Sequence, residues 1–273
     1  MIHDFSGALI RAWLTLLLMV SPALVLPGRE DGAEIVLLIG FAAACLVFVE
    51  YLAVYPGLME FSSAPPFNRI RFAMLAVTVL SMALMLRGLS DPNLLTEVVT
   101  AVGVLVGHAI DLPGSPVRLM TAAISTGDAG QVAITRAFCG IGYLTSLMSL
   151  AIFIAAARFA GWPGGSGFNV WTNLPTFEPT ASADIVARLR RDARINLILG
   201  FTLPFLIPQV VTLAAPILPP LGPESPLTLI WTVAAWSFLP ASLMMRGMAM
   251  GLVATMIDEA RRPRARAGEL APT

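Results

Sequence analysis

The chain has 273 residues, 17 basic and 17 acidic side chains, and a formal net charge of zero. Only 12% of its residues are charged and 57% are hydrophobic, whereas soluble domains carry about 25% charged residues. A soluble core of this length would leave that apolar excess in water, and the balanced charge argues against a nucleic-acid partner, which calls for a basic footprint. The expectation is an all-α polytopic membrane protein whose first partner is the lipid bilayer. Every cation is an arginine, which a GC-rich coding sequence explains. Cys45 and Cys139 both sit inside apolar runs, so they read as small hydrophobes rather than a disulfide or metal framework.

A membrane-crossing helix needs about 20 apolar residues, since each rises about 1.5 Å against about 30 Å of hydrocarbon. Such segments occur at Leu9–Leu26, Ile35–Tyr55, Ile70–Leu86, Ala137–Ala157, Ile195–Leu218 and Leu227–Met245. The first has Asp4 in a long leading region and no small-x-small site after it, so an uncleaved helix is expected. A seventh segment, Leu94–Ile110, is shorter and more polar. It is expected to form an embedded, re-entrant hairpin with the following residues to Thr135, turning at Leu112-Pro-Gly-Ser-Pro116, although seven full crossings remain the alternative.

Arginines near span ends mark the cytoplasmic side. They cluster at Arg69 and Arg71, at Arg188, Arg190, Arg191 and Arg194, and in the tail from Arg261 to Arg266. Six crossings put all three clusters on one side, with both termini inside. The expected location is a bacterial cytoplasmic (inner) membrane. Residues 1–260 form a single transmembrane domain, with 158–194 a partly interfacial connection and 261–273 a disordered basic tail. Within that connection Trp162, Phe168, Trp171 and Phe177 are expected at headgroup level. Arg246 is expected to mark the cytoplasmic face, followed by an interfacial helix over Gly247–Met256; one long helix burying the arginine is the alternative.

Several polar groups could carry function. Glu97, His108 and Asp111 fall on one face at helical spacing. Ionisable groups in a membrane segment are costly and tend to face water or a bundle interior. With Gln209, in a segment broken by Pro204, Pro208 and Pro216, they are candidates for an ion or proton path. The plain alternative places Glu97 and Asp111 at the two interfaces. The linker from Glu50 to Arg71 holds Glu50, Tyr51, Tyr55, Glu60, Asn68, Arg69 and Arg71 around two stiff proline pairs, and these are candidates for docking a partner. Glu50 would snorkel to the interface or pair with Arg69 or Arg71, and Glu60 could do the same. Gly103 with Gly107, and Gly247 with Gly251, have the spacing of close helix packing.

No Walker loop, dinucleotide fingerprint, HExxH, GxSxG or haem-binding motif occurs. The chain names no cofactor and points away from an enzyme. The leading expectation is an accessory, assembly or scaffolding subunit packed against a membrane-protein partner or a second copy of itself. A small transporter or ion pathway is the second, and a lipid-modifying membrane enzyme built on the Glu50–Arg71 cluster the third.

Overall fold

In the computed structural model the described residues are 2–26, 33–53, 57–125, 127–159, 161–163, 173–174, 185–214 and 225–269. The expected all-α class is what they form: helices with no strand among them. In chain order these are α1 (Ile2–Val25), α2 (Ala33–Leu52), α3 (Phe67–Ser90), α4 (Leu94–Ala109), α5 (Pro116–Ile124), α6 (Ala129–Phe159), α7 (Ile185–Ala214) and α8 (Pro226–Glu269). Six of them, all but α4 and α5, are long and apolar enough to cross a membrane. The protein is a multi-pass membrane protein.

Pairings between helices fix their directions. Phe67 stacks edge-on with Phe153 at 5.7 Å, and Thr78 shares a 2.6 Å hydrogen bond with Thr145, so α3 and α6 are antiparallel. Arg190 bonds Asp258 at 3.0 Å and Trp236 bonds the Pro204 carbonyl at 3.1 Å, so α7 and α8 are antiparallel as well. Arg11, Arg69, Arg71 and the Arg188–Arg194 run therefore share one end of the bundle, here called the basic end. An apolar core at that end joins Phe61, Phe67, Phe153, Leu189 and Met245. A second core toward the opposite end joins Val79, Met82, Met120, Phe138, Ile230 and Trp236.

The seventh apolar segment becomes α4, and it does not run the length of the bundle. A Cβ on Gly88 of α3 would fall 2.9 Å from Thr96, and one on Gly103 would fall 2.8 Å from the Met85 methyl group. At Gly140 of α6 a Cβ would meet the Gly107 Cα at 2.6 Å. Both halves of α4 thus rest on the last turns of α3 and the early turns of α6, and α4 lies across the end of that pair. Asn93 caps it, accepting from the backbone N–H groups of Leu95 and Thr96 at 3.1 Å each, while Thr96 Oγ1 accepts the Asn93 N–H at 2.9 Å, a reciprocal capping box. After a short turn Ser115 caps α5, accepting the Arg118 N–H at 3.1 Å, and α5 leads back toward α6.

Two expectations differ from the structure at the basic end. The sixth span does not give way to an interfacial helix at Gly247: α8 runs unbroken to Glu269, through residues assigned to a disordered tail. At 1.5 Å per residue its 44 residues reach about 66 Å, twice the hydrocarbon thickness. The helix continues past Gly247 against a partner: Leu189 and Ala193 of α7 join Ala249, Val253 and Ala254 in one apolar seam. Trp162 is also not a headgroup anchor. It is 8% exposed, with its ring 5.5 Å from Phe61 and 5.4 Å from Phe153. Phe168, Trp171 and Phe177 lie outside the described residues.

Proline inside a helix removes the N–H that would satisfy the carbonyl four residues earlier. Pro208 orphans the Pro204 carbonyl in this way, and the indole N–H of Trp236 on α8 takes its place at 3.1 Å. Pro22 orphans the Leu18 carbonyl, which accepts the Ser21 hydroxyl at 2.8 Å. A buried acceptor left unmade costs about 1–3 kcal/mol. Trp236→Phe keeps most of the ring volume but removes the donor. It should lower stability by about 1–2 kcal/mol, read as an earlier thermal midpoint in detergent, whereas the same change at exposed Trp13 should leave the midpoint in place.

Candidate functional site at the basic end

The linker between α2 and α3 is built on carboxylates. Glu50, in the last turn of α2, turns one oxygen onto the loop that follows: Oε2 accepts the N–H groups of Gly57, Leu58 and Met59 at 3.0, 2.8 and 2.9 Å. It does not pair with Arg69 or Arg71. Instead it satisfies three backbone donors of the loop that no helix partner takes. The loop is then fastened to the segment before α7. Phe61 N–H donates to the Asn173 carbonyl at 2.8 Å, and Ser63 donates from its backbone and hydroxyl to Asn173 Oδ1 at 3.2 and 3.0 Å. Asn173 is fully buried.

Glu60 sits at the centre. It is 9% exposed, and Arg246 of α8 grips it with two parallel bonds, Nε to Oε2 and Nη2 to Oε1, the second at 2.7 Å. This fork-on-fork arrangement is the strong form of a carboxylate–guanidinium contact. The third nitrogen, Nη1, donates to Asn196 Oδ1 on α7 at 3.0 Å, and the Asn196 amide is itself oriented by the Asp192 carbonyl at 2.7 Å. Asn68 at the start of α3 donates to the Glu60 carbonyl at 2.8 Å and accepts from Arg71 at 3.3 Å. One loop carboxylate therefore couples α3, α7 and α8. Sequence reading offered Arg69 and Arg71 as its partners and missed Arg246 and Asn196. The available signal was an arginine inside the Met-rich run SLMMRGMAMG, which in a membrane protein demands a counter-charge.

The second polar cluster lies at the opposite end. Asp111, in the turn after α4, holds Arg118 of α5 at 2.9 Å through Oδ1 and lies 2.9 Å from Arg136 of α6 through Oδ2. Arg136 Nη1 lies 3.1 Å from His108 Nε2, and His108 Nδ1 lies 2.8 Å from the Val104 carbonyl. In the tautomer with its proton on Nδ1 the ring donates to Val104 and accepts from Arg136. His108 and Asp111 are thus joined through Arg136, which sequence reading did not connect to them. Glu97 is not with them: it lies in the first turn of α4, about 16 Å along the axis from His108. Gln209 is exposed on α7.

Of the other candidate residues, Gly103 and Gly107 face α3 and α6, and a Cβ on Gly247 would fall 2.8 Å from the Ala193 carbonyl, at the α7–α8 crossing. Gly251 has only Ala193 nearby, at 4.0 Å. Tyr51 lies under the Arg11 guanidinium at 4.5 Å, Arg69 is exposed, and Tyr55 lies outside the described residues. No group of three or more His, Cys, Asp or Glu side chains suited to a metal occurs among the described residues. Comparison with protein-family models, with curated proteins and with solved structures finds no match to this chain.

Removing one partner of a buried pair leaves the other charge uncompensated, which costs about 3–5 kcal/mol when both are buried. Arg246 keeps 31% of its side chain exposed, so Glu60→Ala should cost less, about 2 kcal/mol, between the surface and buried cases. The double substitution Glu60→Met with Arg246→Met removes both charges and should recover most of the loss. A double-mutant cycle on detergent melting reads the coupling; a double variant as unstable as the sum of the singles would show the bridge to be idle.

Proposed function

We propose that the protein is a non-enzymatic accessory or assembly subunit of a bacterial cytoplasmic membrane, with both termini inside, that docks a partner membrane protein along α4. The observation that carries this reading is the outward face of α4. Leu94, Val98, Val102 and Leu105 recur at helical spacing and are 79, 52, 40 and 72% exposed, while Thr96, Gly103 and Gly107 take the packing face. That apolar stripe lies level with the end of α3, where Arg87 and Asp91 pair at 3.0 Å and mark the polar boundary. A helix lying flat at a boundary ordinarily turns a charged face outward. Here Glu97 and His108 are exposed only along one border of the outward face, and the apolar stripe beside them fits a partner helix laid against it.

The polar groups support the same reading. Glu60, Asp111, Arg136 and Arg246 are each engaged within the chain's own fold, which suits a rigid scaffold. A path through Glu97, His108, Asp111 and Gln209 has less support, because these groups are spread over two ends of α4 and the exposed face of α7.

A photo-crosslinking residue placed at Leu105 should capture one discrete membrane protein in native membranes, and the same residue at Leu38 on the outer face of α2 should capture none. Leu105→Arg should release that partner on extraction in mild detergent without altering the melting of the chain itself. Equal labelling from both positions, or capture of lipid alone at Leu105, would overturn the proposal; capture of a second copy would replace the heterologous partner by a homo-oligomer.

A further inference from the structure

At the basic end, on the side away from α7, a cleft of about 570 Å³ opens between α1, α2 and α3 and is floored by Phe238 of α8. Its volume is that of an ordinary small-molecule site. Its chemistry is graded along the helix axes. At the mouth stand Arg11, Arg69, Arg71, Tyr51 and Asn68; away from the basic end the walls turn to Leu14 and Leu18 on α1 and to Phe72 and Leu75 on α3. Both walls change from cationic to apolar in the same direction. From Arg11 to Leu18 is about 10 Å along α1.

The mouth carries cations in excess of their counter-charges. Three arginines there face two described carboxylates: Glu50 is bonded to three loop N–H groups, and Glu60, which also acts on Arg71 through its charge, is gripped by Arg246. Arg71 is held in place by aromatic faces, its guanidinium 5.3 Å from the Phe67 ring and 5.6 Å from Phe238. Its Nε is buried with no hydrogen-bond partner, an orphan donor of the kind that native structures rarely keep. Arg11 is likewise steadied over Tyr51. These are preset positive groups around a space that continues into an apolar channel.

We propose that this cleft binds one anionic phospholipid of the surrounding leaflet, with its phosphate among Arg11, Arg69 and Arg71 and one acyl chain along Leu14, Leu18 and Leu75. Arginine suits this role because its planar fork meets phosphate in bidentate fashion and is weakly hydrated. The gradient explains why a lipid rather than a free anion is the occupant: an anion alone would use the mouth and leave the apolar channel in contact with nothing. The site is separate from α4, which lies at the other end of the bundle.

The test is native mass spectrometry of the detergent-solubilised full chain, titrated with phosphatidylglycerol or with phosphatidylcholine of the same acyl chains. One phosphatidylglycerol should bind in preference to phosphatidylcholine, whose choline cancels the phosphate charge. Each arginine near a membrane surface contributes about a fivefold gain for an anionic lipid, so Arg11→Gln with Arg69→Gln should weaken binding about 25-fold. Leu75→Trp, which fills the channel without touching the charges, should also reduce retention while leaving helicity and melting unchanged. Equal binding of the two lipids would overturn the proposal. So would retention unaffected by both variants, or displacement of phosphatidylglycerol by millimolar inorganic phosphate, which would mark an anion site indifferent to the acyl chain.

Discussion

An arginine twenty residues into an apolar helix cannot be left to itself. Counted from Pro226, Arg246 stands about 30 Å along α8, one hydrocarbon thickness from its start. That is the length of helix that spans the hydrocarbon. The chain meets this by bringing a carboxylate from a loop 186 residues away in sequence. The consequences spread from that contact. To hold Glu60 in place the loop must be ordered, so Glu50 caps its first turn and Asn173 and Asn68 fix its second half. To spend the third nitrogen of Arg246, α7 must supply Asn196 at the same level, which sets the register of α7 against α8.

That register is reinforced by backbone contact. At Gly200 an added Cβ would fall 2.7 Å from the Pro240 carbonyl, and at Gly247 it would fall 2.8 Å from the Ala193 carbonyl. Two close approaches on one helix pair leave little freedom to slide. Lipid gives helices no hydrophobic reason to associate with one another, so contact area and hydrogen bonds must do it. The hydroxyls follow the same logic: Ser146 bonds the Ser237 carbonyl across α6 and α8 at 2.8 Å, and Thr78 meets Thr145 across α3 and α6. The Leu189–Val253 seam continues the pairing of α7 and α8 past Arg246.

What the sequence disclosed was whatever depends on local composition. Apolar runs located the six long helices, and the clustering of arginines put Arg69, Arg188 and Arg246 toward one end. The shortness of Leu94–Ile110, together with the distribution of arginines, set it apart from the six long helices. What it hid were pairings between distant segments. Nothing in the spacing around Glu60 distinguishes Arg246 from Arg71 as its partner; only the folded register does. The helical-face argument for Glu97, His108 and Asp111 failed in one specific respect. It assumed a helix through residue 111, whereas α4 ends at Ala109, so Asp111 belongs to a turn and is free to gather Arg118 and Arg136. Likewise the expectation of an interfacial helix at Gly247 followed from charge alone, and the partner surface on α7 overrode it.

The two ends of the bundle solve the burial of charge differently, and this bears on what each can do. At the opposite end Asp111 takes two arginines and one of those also meets His108, so charges are matched locally and the apolar face of α4 is left as the distinguishing surface. At the basic end the carboxylates are consumed by structure, one by loop backbone and one by Arg246, while Arg11, Arg69 and Arg71 remain around a cleft. Charge neutrality of the whole chain therefore coexists with a local cationic excess. Because α2 packs almost wholly on α1, that hairpin is the part of the fold least constrained by its own contacts. A lipid wedged between it and α3 would supply contact area that the protein does not, and would tie the hairpin to the rigid core through Arg71 and Phe238.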